Sequence, residues 1–265
     1  MMTPILLLGA GRMGGALIQG WTRAGAFSPD QLIVRDPFLT PAALAALGEG
    51  VRLNPPDAAL AEAPTVLLAV KPQIWRAVAA EVGPRLHPDA VIVSIAAGVR
   101  AGDISAAFGG RRTARVMPTT AVAIGKGAAS IVAADAEARA RAHALFDPVG
   151  TCVDIEDEAL MDVTVAVSGS APAYLYAFIE ALEAAGEAEG LPAGTARALV
   201  RATLIGAAAL LDHTGEDPAE LRRQVTSPGG TTEAALKVLM GEHGLGPLAA
   251  EAVAAAVKRS KELGG

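Results

Sequence analysis

Aromatic side chains make up only 3% of this 265-residue chain. A core without them is built from alanine and aliphatic residues, which favours closely packed helices. Cysteine occurs once, at Cys152, so no internal disulfide can form, and the composition fits a reducing cytoplasm. Its apolar neighbours read Cys152 as inert filler rather than as a nucleophile. Basic residues do not outnumber acidic ones: 22 Lys and Arg face 28 Asp and Glu, a net charge of −6. That removes the electrostatic footprint for nucleic acid or an anionic membrane. His87, His143, His213 and His243 lie far apart without paired ligand spacing, so the sequence argues for no metal. The first 14 residues lack a basic stretch, and the apolar run at 5–8 is too short for a signal peptide. Elsewhere Arg, Glu or Asp interrupts each helix-like apolar stretch, which predicts no membrane span. The expected location is the cytoplasm.

What is present divides the chain in two. Short apolar runs at 5–8, 32–34, 66–70, 91–95 and 115–117 read as strands. Helical patterns at 14–24, 41–47, 74–82 and 101–108 lie between them. Continuous apolar strands alternating with helices predict a doubly wound parallel sheet covered on both faces. Two further strands are expected at 128–133 and 150–155, around a helix at 136–146. After residue 155 no strand pattern remains. Helices are expected at 158–167, 171–189, 193–213, 218–225, 233–241 and 248–263, punctuated by Leu191-Pro192 and Thr214-Gly215. The predicted architecture is therefore α/β plus all-α: a Rossmann dinucleotide-binding domain at 1–155 and a helical domain at 156–265. Helices apolar on more than one face must bury both, which predicts a homodimer or a higher assembly of dimers.

Gly9-Ala10-Gly11-Arg12-Met13-Gly14 is a G-x-G-x-x-G directly after a strand and opening a helix. Its glycines serve a tight turn, a close backbone approach to pyrophosphate, and tight helix–strand packing. Asp36 ends the second strand, where a carboxylate accepts from an adenosine ribose and repels a 2′-phosphate. It also reads as a turn residue before Pro37. Arg35 could instead pair with that phosphate. The cofactor is therefore read as NAD(P)H with a lean toward NADH. Ala69, Val70, Lys71 and Pro72 follow the third main strand, and Ala96, Ala97 and Gly98 follow the next. Loops at the carboxyl ends of such strands face a bound ligand. Lys71 reads equally well as a solvated surface lysine.

Near the other end, Ser227-Pro228-Gly229-Gly230-Thr231-Thr232 lies between two helical runs. Glycines and hydroxyls at a helix start expose backbone N–H groups at the positive end of a dipole, a site for a carboxylate or phosphate. A Pro-Gly turn with a threonine cap has the same residues.

With these segments in hand, the chain resembles the pyrroline-5-carboxylate reductase family over nearly its whole length. The resemblance rests on 9–14, on 69–73, on Ser94 to Val99, on Arg115-Val116-Met117-Pro118, on Ser168-Gly169-Ser170-Ala171-Pro172 and above all on 225–232. It implies a helical domain that dimerises by interlocking helices, and hydride transfer from NAD(P)H to the C=N carbon of 1-pyrroline-5-carboxylate, giving L-proline. It places the substrate carboxylate on Ser227, Gly229, Gly230, Thr231 and Thr232, with Thr232 near the ring nitrogen as the catalytic candidate. It adds Met117, Pro118 and Thr119 to the cofactor contacts. Two positions depart from the family pattern. Thr119 stands where an asparagine is common, and a threonine hydroxyl can supply only part of what that amide offers the nicotinamide. Ala171 stands where glycine is common, which puts a positive φ or a close approach in question there.

Imine reduction needs orientation and charge complementarity more than covalent machinery. A threonine hydroxyl has too high a pKa for efficient general-acid work, so positioning is the expected role of Thr232. No Ser-His-Asp or Cys-His arrangement is visible. The alternatives are another imine reductase, including one for a six-membered ring, a β-hydroxyacid dehydrogenase-like enzyme, or a non-catalytic NAD(H)-binding module. The dehydrogenase reading needs a lysine early in the helical domain, and the chain has none between Lys126 and Lys237.

Overall fold

A computed structural model describes residues 2–39, 44–45 and 47–264. The chain divides into two compact units, residues 1–169 with 257–265, and residues 170–256. The first unit thus runs beyond the boundary expected at 155 and takes in the C-terminal residues. Ser260 Oγ donates to Asp162 Oδ1 at 2.6 Å within it.

The first unit is built on an eight-stranded sheet: β1 (Ile5–Leu8), β2 (Leu32–Arg35), β3 (Arg52–Leu53), β4 (Thr65–Leu68), β5 (Val91–Ser94), β6 (Thr113–Pro118), β7 (Gly127–Ala133) and β8 (Gly150–Asp154). Their spatial order is β3-β2-β1-β4-β5-β6-β7-β8. All neighbours are parallel except β6 and β7. The expected parallel sheet therefore carries one antiparallel step, made by the short return from Pro118 to Gly127. The strand β3 is new relative to the sequence reading. It is two half-buried residues with no apolar run to reveal it.

Side chains alternate across the sheet, which explains why uninterrupted apolar strands are stable here. Ile5 and Leu7 join Val34, Leu67 and Val93 in one buried layer. It is covered by α1 (Arg12–Ala24) and α4 (Ala136–Phe146). Leu6 and Leu8 join Ile33, Val66, Leu68 and Ile92 in the other. That layer is covered by α2 (Trp75–Val82) and α3 (Ala101–Ala107). Trp21 Nε1 donates to the Leu145 carbonyl at 2.7 Å, so the largest core side chain also satisfies its one polar atom. The helix expected at 41–47 lies largely outside the described residues.

The run after β8 is less regular than one helix. Glu158–Leu160 is 3-10, α5 is Met161–Thr164, and Val165–Gly169 is a π-turn. Such π-turns are rare and concentrate at functional sites.

The second unit holds α6 (Ala171–Ala188), α7 (Ala193–Thr214), α8 (Pro218–Gln224), α9 (Thr231–Leu239) and most of α10 (Leu245–Gly264). Helix α9 starts earlier than expected because Gly230, not a later residue, caps it. Helices α6 and α7 pack on each other, and Arg201 Nε meets Glu183 Oε1 at 2.8 Å. Ala196 is the only buried residue of these two helices, while Leu175, Tyr176, Leu182, Leu199, Ile205 and Leu210 are exposed in the single chain. One sequence expectation is corrected here. Residues 158–188 and 193–214 are helical stretches long and apolar enough to cross a membrane by length and composition, since each holds an 18-residue window with at most two charges.

Candidate active site

The parallel strands place the loops after β1, β2, β4, β5 and β6 along one edge of the sheet. Strand order reverses between β1 and β4, which run parallel, and open α/β sheets bind ligands in the crevice at such a switch point. Gly9 leaves β1 at φ 95°, and its N–H donates to the Arg35 carbonyl at 2.9 Å. A Cβ at position 9 would lie 2.9 Å from the Ala69 carbonyl oxygen, and one at position 14 only 2.2 Å from the Gly9 oxygen. The fold itself demands both glycines. Gly11 differs: a Cβ there would meet no atom within 4 Å. It caps α1 without a side-chain hydrogen bond, and the first intrahelical bond is from Gly15 N to Gly11 O. Among the described residues the N–H groups of Arg12, Met13 and Gly14 are thus the unpaired start of a helix beside the open position of Gly11, which fits a pyrophosphate. Arg12 is exposed and Met13 half-buried.

Asp36 is fixed beside this cradle. Its Oδ2 accepts from Ala10 N and its Oδ1 from Phe38 N, both at 2.7 Å. Asn54, at φ 44°, exchanges two further hydrogen bonds with the Asp36 backbone. The carboxylate is therefore both a turn residue and a rigid acceptor. The turn reading of Asp36 is observed, and each oxygen keeps a second lone pair for a further donor. Arg35 faces elsewhere. Its guanidinium meets Asp57 at 3.3 Å and Glu81 at 3.7 Å, and donates to the Pro55 carbonyl.

After β4, Ala69 N continues the ladder to the Leu8 carbonyl at 2.8 Å, Ala69, Val70 and Pro72 are half-buried, and Lys71 is exposed. After β5, Ala96 is buried, Ala97 exposed, and Gly98 turns at φ 74°. At the end of β6 Met117 and Pro118 are buried, as is Thr119 just after it. Thr119 Oγ accepts from Ala128 N at 3.0 Å, so its hydroxyl stitches β6 to β7 and keeps its proton and one lone pair for a further partner. A Cβ at position 169, at the end of the π-turn, would lie 3.7 Å from Met117 Cγ. Two segments that carry the family resemblance thereby meet within the first unit.

Sequence reasoning missed the weight of Arg115. It is 4% exposed, and its guanidinium meets Glu158 Oε1 at 3.1 Å. The same oxygen accepts from Ala101 N at 2.8 Å, at the start of α3. Arg115 Nε, although buried, has no partner among the described residues. A cavity of about 620 Å³ beside them reaches Gly98 and Lys261. The available signal was an arginine inside an otherwise apolar strand.

In the second unit, Gly229 stands at φ 72° and Gly230 caps α9. The turn uses two of its own N–H groups. Gly229 N donates to Glu233 Oε2 at 2.6 Å, and Gly230 N to the Ser227 carbonyl at 3.0 Å. The first intrahelical bond is from Ala234 N to Gly230 O. The donors left for an anion are therefore the N–H groups of Thr231, Thr232 and Glu233, with the half-buried Thr232 hydroxyl beside them. Ser227 is exposed. Ala171 is the first residue of α6 and has no positive φ, so the alanine there imposes no strain.

Comparison with known proteins bears on the family and the fold. Residues 158–263 match the pyrroline-5-carboxylate reductase dimerisation family, which makes the C-terminal segment an oligomerisation module. Residues 4–98 match the family described as NADP oxidoreductase, coenzyme F420-dependent. A pyrroline-5-carboxylate reductase of Pseudomonas aeruginosa is 40% identical over 270 residues, covering 99% of this chain and 98% of the relative. A solved pyrroline-5-carboxylate reductase from Coxiella burnetii is 33% identical, covers 100% of both chains and superposes with a TM-score of 0.91. The Plasmodium falciparum enzyme, solved with NADP bound, is 26% identical, covers 99% of this chain and 98% of its own, and gives a TM-score of 0.84. On full-length identity of this order, together with the matched dimerisation segment, this chain belongs to the pyrroline-5-carboxylate reductase family.

Proposed function

We propose that this chain is an oxidoreductase that reduces 1-pyrroline-5-carboxylate to L-proline, the closing step of proline formation. It acts in the cytoplasm as a homodimer or an assembly of dimers. The observation that carries the reading is the start of α9, where Thr231, Thr232 and Glu233 offer backbone N–H groups and Thr232 a hydroxyl with no partner among the described residues. That set suits a small carboxylate with a polar nitrogen nearby. A nicotinamide dinucleotide bound in the Gly9–Gly14 cradle supplies the hydride.

The residues then have separate tasks. Arg12, Met13 and Gly14 receive the pyrophosphate, and Asp36 accepts from the ribose. The loops at 69–72, 96–98 and 117–119 line the nicotinamide end. Ser227, Gly229 and Gly230 shape the turn that holds the substrate carboxylate. Thr232 accepts a hydrogen bond from the protonated imine nitrogen, which keeps the iminium in place and its carbon electrophilic. As hydride reaches that carbon, the C=N pair moves onto nitrogen and becomes the amine lone pair. No side chain needs to change protonation state.

The coenzyme preference we assign is NADH. Asp36 places a carboxylate where a 2′-phosphate would lie, and Arg35 is held by Asp57 and Glu81 rather than free to neutralise one. Steady-state reduction with NADH and NADPH side by side tests this. A higher kcat/KM with NADH is expected, and Asp36→Ser should narrow the gap. A higher kcat/KM with NADPH in the native protein would overturn the preference.

A further inference from the structure

The short return from α4 to β8 gathers side chains that the histidine spacing alone does not connect. His143 lies in the last turn of α4, Asp147 caps that helix, and Cys152 stands in the middle of β8. One ligand atom from each lies within 4.8 Å of the others. His143 Nδ1 meets Asp147 Oδ1 at 3.0 Å, and Nε2 meets Asp154 Oδ2 at 3.3 Å. This group sits at the β8 edge of the sheet, far along the strand order from the β1/β4 crevice.

We propose that His143, Asp147 and Cys152 form a binding site for one zinc-like divalent transition metal, with Asp154 orienting the imidazole from outside. An imidazole, a carboxylate and a thiolate form the mixed donor set that zinc accepts. Two of the ligands are four residues apart across the end of one helix, so they share a face. Metal bonds of about 2.0–2.3 Å set tetrahedral ligand atoms about 3.3–3.6 Å apart. The His143–Asp147 pair lies at 3.0 Å and all three ligand atoms within 4.8 Å of one another, so small side-chain rotations of His143, Asp147 and Cys152 bring them to this spacing. Ligation through Nδ1 leaves Nε2 to donate to Asp154, the carboxylate–histidine–metal relay common behind such ligands. Arg139 Nη1 lies 3.7 Å from Asp154 Oδ2 and shares its charge, which suits Asp154 to the outer position. Neutral imidazole with carboxylate and thiolate balances a divalent ion. A surface depression of about 720 Å³, lined by Arg139, His143, Asp147 and Asp154, opens two of the three ligands, His143 and Asp147, to solvent.

Without metal the thiol is inert, because burial first, and Asp147 and Asp154 after it, push Cys152 up to about 12. Coordination removes that proton outright. The test is cobalt titration of the full-length protein after exhaustive chelation, read by absorbance. One Co²⁺ per chain is expected, with a thiolate-to-cobalt charge-transfer band in the near ultraviolet and the strong visible bands of tetrahedral cobalt, both abolished by Zn²⁺. Cys152→Ser should delete the near-ultraviolet band. His143→Gln should weaken binding at least 100-fold, and Asp154→Asn about 10- to 100-fold. Circular dichroism and Tm show that each variant is folded. Weak octahedral cobalt spectra in the native protein, or a charge-transfer band that survives in folded Cys152→Ser, would overturn the proposal.

Discussion

A methyl group at position 11 would touch nothing, whereas one at position 14 would collide with the Gly9 carbonyl. The two glycines of one motif therefore serve different ends, ligand and fold. Gly11→Ala should leave stability within about 1 kcal/mol of the parent and weaken dinucleotide binding at least about tenfold, by obstructing the pyrophosphate. Thermal denaturation and cofactor titration of the same preparation check both halves. Unchanged affinity would mean the open space at Gly11 is not where the phosphates lie. At the other site, Thr232→Val keeps the shape and removes one hydroxyl. A hydrogen bond to a charged group contributes roughly 1.5–3 kcal/mol, so kcat/KM should fall about 10- to 150-fold. If the bond strengthens as charge leaves the nitrogen, the loss appears in kcat; if it only holds substrate, KM rises instead. Wild-type kinetics would return the turn to a purely structural role. Gly230→Ala is the less clean probe, since its Cβ would lie 3.0 Å from the Ser227 carbonyl and shift the turn itself.

At the scale of elements, Glu158 ties three of them together. It pairs with Arg115 on β6, receives Ala101 N at the start of α3, and opens the segment leading to the π-turn. Removing one partner of a buried ion pair costs about 3–5 kcal/mol. Glu158 is 29% exposed, so Glu158→Ala should fall toward the low end of that range. Arg115→Met should be milder, because it removes the buried charge as well. Denaturant unfolding of both variants tests the order, and equal or reversed losses would show that the pair does not anchor these elements. This pair also marks the limit of what the sequence displays. Long apolar strands such as β1, β4 and β5 were legible because both their faces are buried. The strand β3 was not, since two half-buried residues carry no period. Nor was the π-turn, whose widened hydrogen-bond ladder leaves the apolar spacing of 158–167 looking helical. In the site, the glycine motif and the 227–232 turn were legible as local chemistry. The use of Gly229 and Gly230 N–H groups by the turn itself, and the Arg115–Glu158 contact, depend on partners that only folding brings close.

For the whole molecule, the decisive fact is the exposure of α6 and α7. Side chains such as Leu175, Leu199 and Ile205 lie open in the single chain, in a segment that matches a dimerisation family. The expected result is an obligate oligomer with a large apolar interface. Sedimentation of dilute protein should show no active monomer, and loss of the oligomer should accompany loss of folding rather than precede it. A stable, active monomer would contradict this. The same exposure accounts for two helical stretches reaching membrane-spanning hydropathy, since a helix covered by a partner chain can be as apolar as one covered by lipid. The central claim is that the protein reduces a cyclic imine acid by direct hydride transfer from a nicotinamide dinucleotide. Reduction of 1-pyrroline-5-carboxylate with NADH carrying deuterium at both C4 positions of the nicotinamide tests it most directly. The account predicts L-proline with one deuterium on the ring carbon that was doubly bonded to nitrogen, one per NADH oxidised. No proline with NADH or NADPH, or proline free of deuterium, would contradict it.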